Sequence, residues 1–204
     1  MGLNATAIVT LDQLRDYLGK SPSDIGGDNI LEAAVNGVSD VIESITRRAF
    51  VLRTIENELY NGSGTAHLEL RSAPVISLKT PALSELQYRG SPTDAWQDVE
   101  TNLAYIMIDP DLPYRISLWR EHFPRGTQNI KVSYKAGYAS VPAEVQLVCL
   151  EAAAIKVKES GKGDGRLGRT SISNTTGGVS STDSFSDLQD RHRAILSRYR
   201  WVMP

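Results

Sequence analysis

The sequence predicts an α+β protein, mainly a helical bundle of about four helices with a β-rich insertion between the second and third. Apolar residues recur every 3.6 positions at both ends of the chain and every second position in the middle. Pro- and Gly-containing turns cut the middle into short segments, and a Gly/Ser/Thr tract separates the last two helices. The 204 residues suit a single domain, 1–204, with N-terminal helices in 1–48 and a β-rich insertion in 50–136. A central helix (142–159), a flexible loop (160–183) and a C-terminal helix and tail (184–204) complete it.

Thr10 and Gln13 have the spacing of a capping box before a short helix bearing Leu11, Leu14, Tyr17 and Leu18, and Gly19 stops it. Asp28 is placed to cap a longer helix ending at Arg47 or Arg48. Its apolar stripe is Leu31, Ala34, Val35, Val38, Val41, Ile42 and Ile45, with Glu32, Asn36, Ser39, Asp40 and Glu43 opposite. The period then changes. Ile55 and Leu59 are set against Glu56 and Glu58, and after Asn61-Gly62-Ser63-Gly64 come Ala66, Leu68 and Leu70 against His67, Glu69 and Arg71, which reads as a hairpin. Further strands are expected at 75–78, 86–89, 95–99, 105–108 and 114–118. The clearest has Ile130, Val132 and Tyr134 alternating with Lys131, Ser133 and Lys135 before Gly137.

Pro142 suits the first turn of a helix that is apolar nearly all round, with Val145, Val148, Cys149, Ala152 and Ile155 on one face and Leu147, Leu150, Ala154 and Val157 on another. Only Glu144, Glu151 and Lys158 form a polar stripe. Residues 160–183 carry few large apolar side chains beyond Leu167, Ile172 and Val179, and so read as a loop. Ser186 and Gln189 can cap a last helix, with Leu188, His192, Ile195 and Tyr199 on one face, ending near Arg200.

Composition excludes disorder and coiled coil: 41% of residues are hydrophobic and 23% charged, with 22 Lys+Arg against 24 Asp+Glu. No stretch is apolar enough for a membrane span, so no membrane partner is expected, and the single Cys149 cannot form an internal disulfide. Residues 1–155 are net negative and 156–204 net positive, as in a chain whose tail end docks on an acidic partner or on nucleic acid, although scattered solvent-facing Arg on a helix gives much the same count.

No motif for catalysis survives inspection of its context, and the chain reads as a non-enzyme. Gly163-Asp164-Gly165-Arg166-Leu167-Gly168 spells a dinucleotide fingerprint, but it follows a helix instead of joining a strand to one, so no cofactor is expected. His67, His122 and His192 share no metal-ligand spacing with each other or with Cys149. Asp109-Pro110-Asp111 and the group Asp94, Asp98 and Glu100 lie in turn-like sequence, where Asp bends and caps the backbone.

Several phrases carry a family resemblance: Thr10-Leu11 to Tyr17-Leu18, Ile42-Glu43 to Arg48-Ala49-Phe50, and Tyr60-Asn61-Gly62-Ser63-Gly64 with Pro74-Val75. The most distinctive is Tyr134-Lys135-Ala136-Gly137-Tyr138 leading to Val141-Pro142. With the order of elements, these resemble the head-to-tail connector (adaptor, head-completion) proteins of tailed bacteriophages and prophages. Arg47 stands where such sequences often have Gly. The resemblance implies a structural virion protein without catalysis, located at the head–tail interface after assembly in the host cytoplasm. It implies a homo-oligomeric ring of about twelve copies beneath the portal protein, extending the DNA channel and receiving a head-closure or tail-completion protein.

Within that role, Arg191, Arg193, Arg198, Tyr199, Arg200 and Trp201 combine charge with the Arg and aromatic types enriched at interfaces, and are the portal-docking candidates. Leu31, Val35, Val38, Ile42, Glu144, Glu151 and Lys158 are the oligomerisation candidates. Arg166, Leu167, Arg169, Ile172 and Val179 are candidates for a loop ordered on assembly. DNA contact is expected to be non-specific at most. The alternative is a DNA-binding regulator using the first two helices, although the connection from Lys20 to Gly27 is long for a helix-turn-helix and Glu32, Asp40 and Glu43 would repel phosphate. A hydrolase assembled from distant loops is a third reading, with no motif behind it.

Overall fold

The computed structural model describes residues 2–21, 27–78, 86–98, 106–109, 111–119, 121–161, 171–176, 179–184 and 188–200. The chain divides into two compact units, one made of residues 1–46 with 141–204 and the other of residues 47–140. The expected bundle with a β insertion is therefore corrected. Residues 47–140 hold antiparallel sheets of five and three strands with a core of their own, because their alternating apolar residues need a second sheet, not a helix bundle, to cover them.

The helical unit begins with α1 (Leu11–Tyr17) and α2 (Asp28–Thr46). The capping box forms as the spacing dictates: Thr10 Oγ1 accepts from Gln13 N at 3.2 Å and Gln13 Oε1 from Thr10 N at 2.8 Å. At the other end Lys20 N donates to Arg15 O and Gly19 N to Asp16 O, with Gly19 at φ 67, a Schellman ending that needs the glycine. Asp28 is not the cap of α2. It lies in the first turn and pairs with Arg15 at 2.7 Å, while Gly27 O accepts the first helical bonds.

Leu31, Val35, Val38 and Ile42 of α2 are buried together with Leu14 of α1 and Val145, Val148, Cys149 and Ala152 of α3 (Ala143–Gly161). Asn36 and Ser39, expected on the solvent face, are buried as well. Asn36 Oδ1 accepts from Asn4 N at 2.9 Å and Ser39 Oγ from Ile8 N at 3.1 Å, so the N-terminal segment lies along what the helical wheel marks as the wet side. The last helix, α4 (Asp190–Ser197), starts with Gln189 as its N-cap, without a side-chain cap bond, and Ser186 lies outside the described residues.

In the sheet unit, β1 (Arg53–Gly62) pairs antiparallel with β8 (Gly126–Ala136). The other edge of β8 carries β3 (Val75–Leu78) and β4 (Leu86–Tyr88), and β5 (Gln97–Asp98) follows β4. The second sheet runs β2 (His67–Glu69), β7 (Arg115–Leu118), β6 (Ile106–Ile108). The expected hairpin of residues 55–71 thus does not form, since β1 and β2 enter different sheets. Register explains it: Ile55 and Tyr60 match Tyr134 and Ile130 across β8, whereas Leu68 matches Ile116 of β7, and the two apolar sets face one core.

Within residues 160–183, expected as a loop, and at residue 184, expected in the C-terminal segment, two antiparallel strands form instead, β9 (Ser171–Thr176) and β10 (Val179–Ser184).

Candidate assembly interface

The charged stripe of α3 and the basic face of α4 meet. Glu151 Oε2 accepts from Arg191 at 2.9 Å and from His192 Nε2 at 2.6 Å, and Glu144 Oε2 accepts from Arg198 at 3.2 Å. Arg191 and Arg198 lie two helical turns apart, as do Glu144 and Glu151, and the crossed pairing sets the two helices antiparallel. His192 is 1% exposed, and Leu188 and Leu196 flank it in the same buried row. The sequence-derived candidates therefore split. Glu144 and Glu151, named for oligomerisation, and Arg191 and Arg198, named for portal docking, engage each other within one subunit.

Arg191 and Arg198 are themselves largely exposed, and the Arg198–Glu144 pair, whose carboxylate is half exposed as well, is worth at most about 1 kcal/mol, so a partner's carboxylate can replace it at little cost. Arg193 and Arg200 are exposed, Tyr199 is partly buried, and Lys158 is exposed near the end of α3. Trp201 lies outside the described residues, as do Arg166, Leu167 and Arg169. Ile172 and Val179 fall on β9 and β10.

Leu31, Val35, Val38 and Ile42, offered as subunit contacts, are corrected to core: none is more than 2% exposed, so they have no surface to give a second copy. Apolar surface is found elsewhere. Tyr17, Ile30, Ile45 and Leu147 of the helical unit, and Leu52, Ile76, Met107 and Trp119 of the sheet unit, are large side chains left exposed. The signal for Leu147 was already in the sequence, as a second apolar face on α3 that one core cannot cover.

Parts of the phrases that carried the resemblance, Ala49-Phe50, Pro74 and Gly137-Tyr138, come together inside the sheet unit. Gly137, at φ 119, lies against the backbone of Val51, where an added Cβ would sit 2.4 Å from the Val51 carbonyl oxygen. Tyr138 stacks on Phe50 with ring centroids 5.6 Å apart, and its N–H donates to Phe50 O at 3.3 Å. Ala49 N and Gly137 N donate to Ala73 O and Pro74 O at 2.8 and 2.9 Å. Beside this joint, the Tyr60 and Tyr134 hydroxyls both bond Glu58 Oε2, Arg71 pairs with Glu58 Oε1 at 3.1 Å, and Arg71 N and Ser72 N donate to the two phenols. Burial, then the bond to Glu58, pushes Tyr134 up to about 12, and the same causes raise Tyr60.

Other chemistry is muted. Burial pushes the Cys149 thiol up to about 11, against a smaller opposing effect of Ser39, so it is not a ready nucleophile. Asp109 Oδ1 accepts from Asp111 N and Leu112 N, the turn role its sequence context indicates. Among the described residues no three His, Cys, Asp or Glu side chains gather as a metal would require, and no helix is long and apolar enough to cross a membrane.

No family profile matches the chain, and no curated protein sequence does. Solved structures do. A chain in the neck of an empty gene transfer agent particle, computed with C6 symmetry, superposes with a TM-score of 0.62 at 17% identity, over 100% of this chain and 94% of that one. The chain has the fold of a neck protein. The native particle's neck, computed with C12 symmetry, contains a chain matching at TM-score 0.55 and 18% identity, and the native virion one at 0.52 and 15%, each with the same coverage. The resemblance to head-to-tail connectors is thus borne out at the level of the neck fold, with no β insertion into a bundle.

Proposed function

We propose that this chain is a structural subunit of a phage-like virion neck, a head-to-tail connector that forms a ring beneath the portal, extends the DNA channel and receives a head-closure or tail protein. The observation that carries the reading is the neck fold matched along the whole chain, in assemblies computed with C6 and C12 symmetry. A closed ring needs two different surfaces on each copy that meet head to tail. The exposed apolar residues of the two units, Ile30, Ile45 and Leu147 in one and Leu52, Met107 and Trp119 in the other, are the side chains suited to such surfaces. The role is non-catalytic, and contact with packaged DNA is non-specific.

The end of α4 is the proposed portal-docking element, through Arg193, Tyr199, Arg200 and Trp201, with Arg191 and Arg198 released from their glutamates on contact. The regulator reading finds less support. The α2 sequence holds Asp28, Glu32, Asp40 and Glu43 and neither Lys nor Arg, and Arg15 of α1 is buried between Asp12 and Asp28.

Absolute mass by light scattering, over a concentration series with and without a portal protein, tests the ring. A discrete closed oligomer with rotational symmetry by electron microscopy is the expected result, and a chain that stays monomeric even with the portal present overturns it. Deleting residues 199–204 should weaken portal binding while circular dichroism stays unchanged. Undiminished binding removes the docking assignment.

A further inference from the structure

We infer that the β9–β10 hairpin is an assembly device: β10 of one copy pairs edge to edge with β9 of the next, so that the hairpins of a ring join into one continuous antiparallel sheet. The inference rests on the ring reading above and goes beyond it by naming the segment and the bonds.

The two strands are six residues each and pair in unbroken register from Ser171↔Ser184 to Thr176↔Val179, without a bulge. They form a sheet of two strands, and among the described residues no third strand pairs with either outer edge. A two-stranded hairpin is marginal in water unless a face is buried or an edge is paired.

The sequence of the two strands offers little apolar surface for a face to bury. Register places Ser171, Ser173, Thr175, Ser180, Thr182 and Ser184 on one face, every one a hydroxyl residue. The other face has Ile172 and Val179 among Asn174, Thr176, Ser181 and Asp183, too little apolar surface to anchor a sheet. What the hairpin has to offer is backbone, since in an antiparallel ladder every second N–H and C=O of a strand points to its outer edge, where a further strand can bond it.

The edges also lack the devices that keep strands apart. Neither strand contains Lys, Arg or Pro, and Asp183 is the one charge in the two. The β1 edge in the other sheet is different: it carries a bulge near Asn57, and the Arg71 guanidinium bonds Leu59 O at 3.1 Å. An edge left unguarded, of β-compatible residues, fits strand addition.

The occupant follows from geometry. With the strands running along the ring axis, rotation leaves their direction unchanged, so β10 of one copy runs opposite to β9 of its neighbour, which preserves the antiparallel ladder around the circle. The contact is between unlike edges, as cyclic closure demands, whereas a two-fold dimer would bring like edges together.

Hydrogen exchange on the full-length chain tests this, comparing the unassembled form with the ring identified by its mass. Half of the amides in residues 171–176 and 179–184 point outward in a lone hairpin, and these should slow by at least about tenfold on assembly. A ring that forms with unchanged exchange in this segment overturns the inference and leaves the ring reading standing. A chain that never assembles, alone or with portal, overturns both. Separately, Thr175→Lys and Ser180→Lys each place a charge on one strand, and should raise the concentration for half-assembly by about tenfold with helix content unchanged. Assembly at the parent concentration by both variants would also refute strand addition.

Discussion

In the helical unit, buried polar side chains join separate pieces of chain: Asn36 and Ser39 hold the N-terminal segment, Arg15 ties α1 to the start of α2, and His192 ties α4 to Glu151 of α3. In the sheet unit, apart from the Tyr60–Tyr134–Glu58 cluster, they repair single irregularities. Ser133 Oγ accepts from Asn57 N where β1 bulges, and buried Asn129 accepts from Gly62 N at 2.8 Å and donates to Pro124 O at 2.9 Å where β1 ends. The difference teaches where each unit is vulnerable. A helix satisfies its own backbone, so its side chains are free to join neighbours, whereas a strand whose ladder slips must recruit side chains for its backbone.

The largest expected effect follows from that contrast. Gly62→Ala would put a Cβ 1.7 Å from the Pro124 carbonyl oxygen and should cost the sheet unit about 3 kcal/mol or more. Urea titration with hydrogen exchange resolves the units: protection should fall in residues 47–140 and hold in α2 and α3. Equal loss in both would show that they unfold together and break the comparison.

Next comes Tyr134→Phe, which strips Glu58 of a donor and Ser72 N of its acceptor and should cost about 1–3 kcal/mol. It also carries a pH signature. The phenol rises on folding from 10.0 to about 12, so its contribution is complete below pH 10 and is lost as pH climbs through about 12. Cys149 in the helical unit rises from 9.0 to about 11, and by the same sign its contribution is complete below pH 9 and fades as pH climbs through about 11. Alkaline destabilisation should therefore reach the helical unit first, and Tyr134→Phe should flatten the later loss in the sheet unit. Denaturation midpoints across this range check both.

The smallest effect has the opposite sign. Arg47 is exposed and held at φ 56, a left-handed conformation that costs a side chain about 1 kcal/mol. Arg47→Gly should stabilise by about 0.5 kcal/mol after the entropy of the unfolded glycine is counted. A loss of stability would mean that the arginine holds a contact worth more than its strain.

Much of this architecture was legible in local pattern. The Thr10–Gln13 box, the Gly19 stop, the limits of α2 and α3 and the alternation of β8 all obey rules that act within one turn or one strand. The resemblance carried by Gly137-Tyr138 was legible for the same reason, since a positive φ and a close backbone approach restrict that position to glycine. The candidate site was less so. Glu144, Glu151, Arg191 and Arg198 were found as charges of interest, but a charge pattern on one helix does not say whether its complement lies in the same chain or another.

By itself, then, the sequence determined the kinds, order and approximate ends of most elements, β9 and β10 excepted, because propensity, capping and periodicity are short-range. Tertiary structure alone decided that β1 and β2 part into different sheets, that Asn36 and Ser39 turn inward under the N-terminal segment, and that α4 spends its arginines on α3. Each of those outcomes depends on which distant segment supplies a hydrogen-bond partner or an apolar face, and such pairings are chosen by the free energy of the whole unit instead of by any window of the chain.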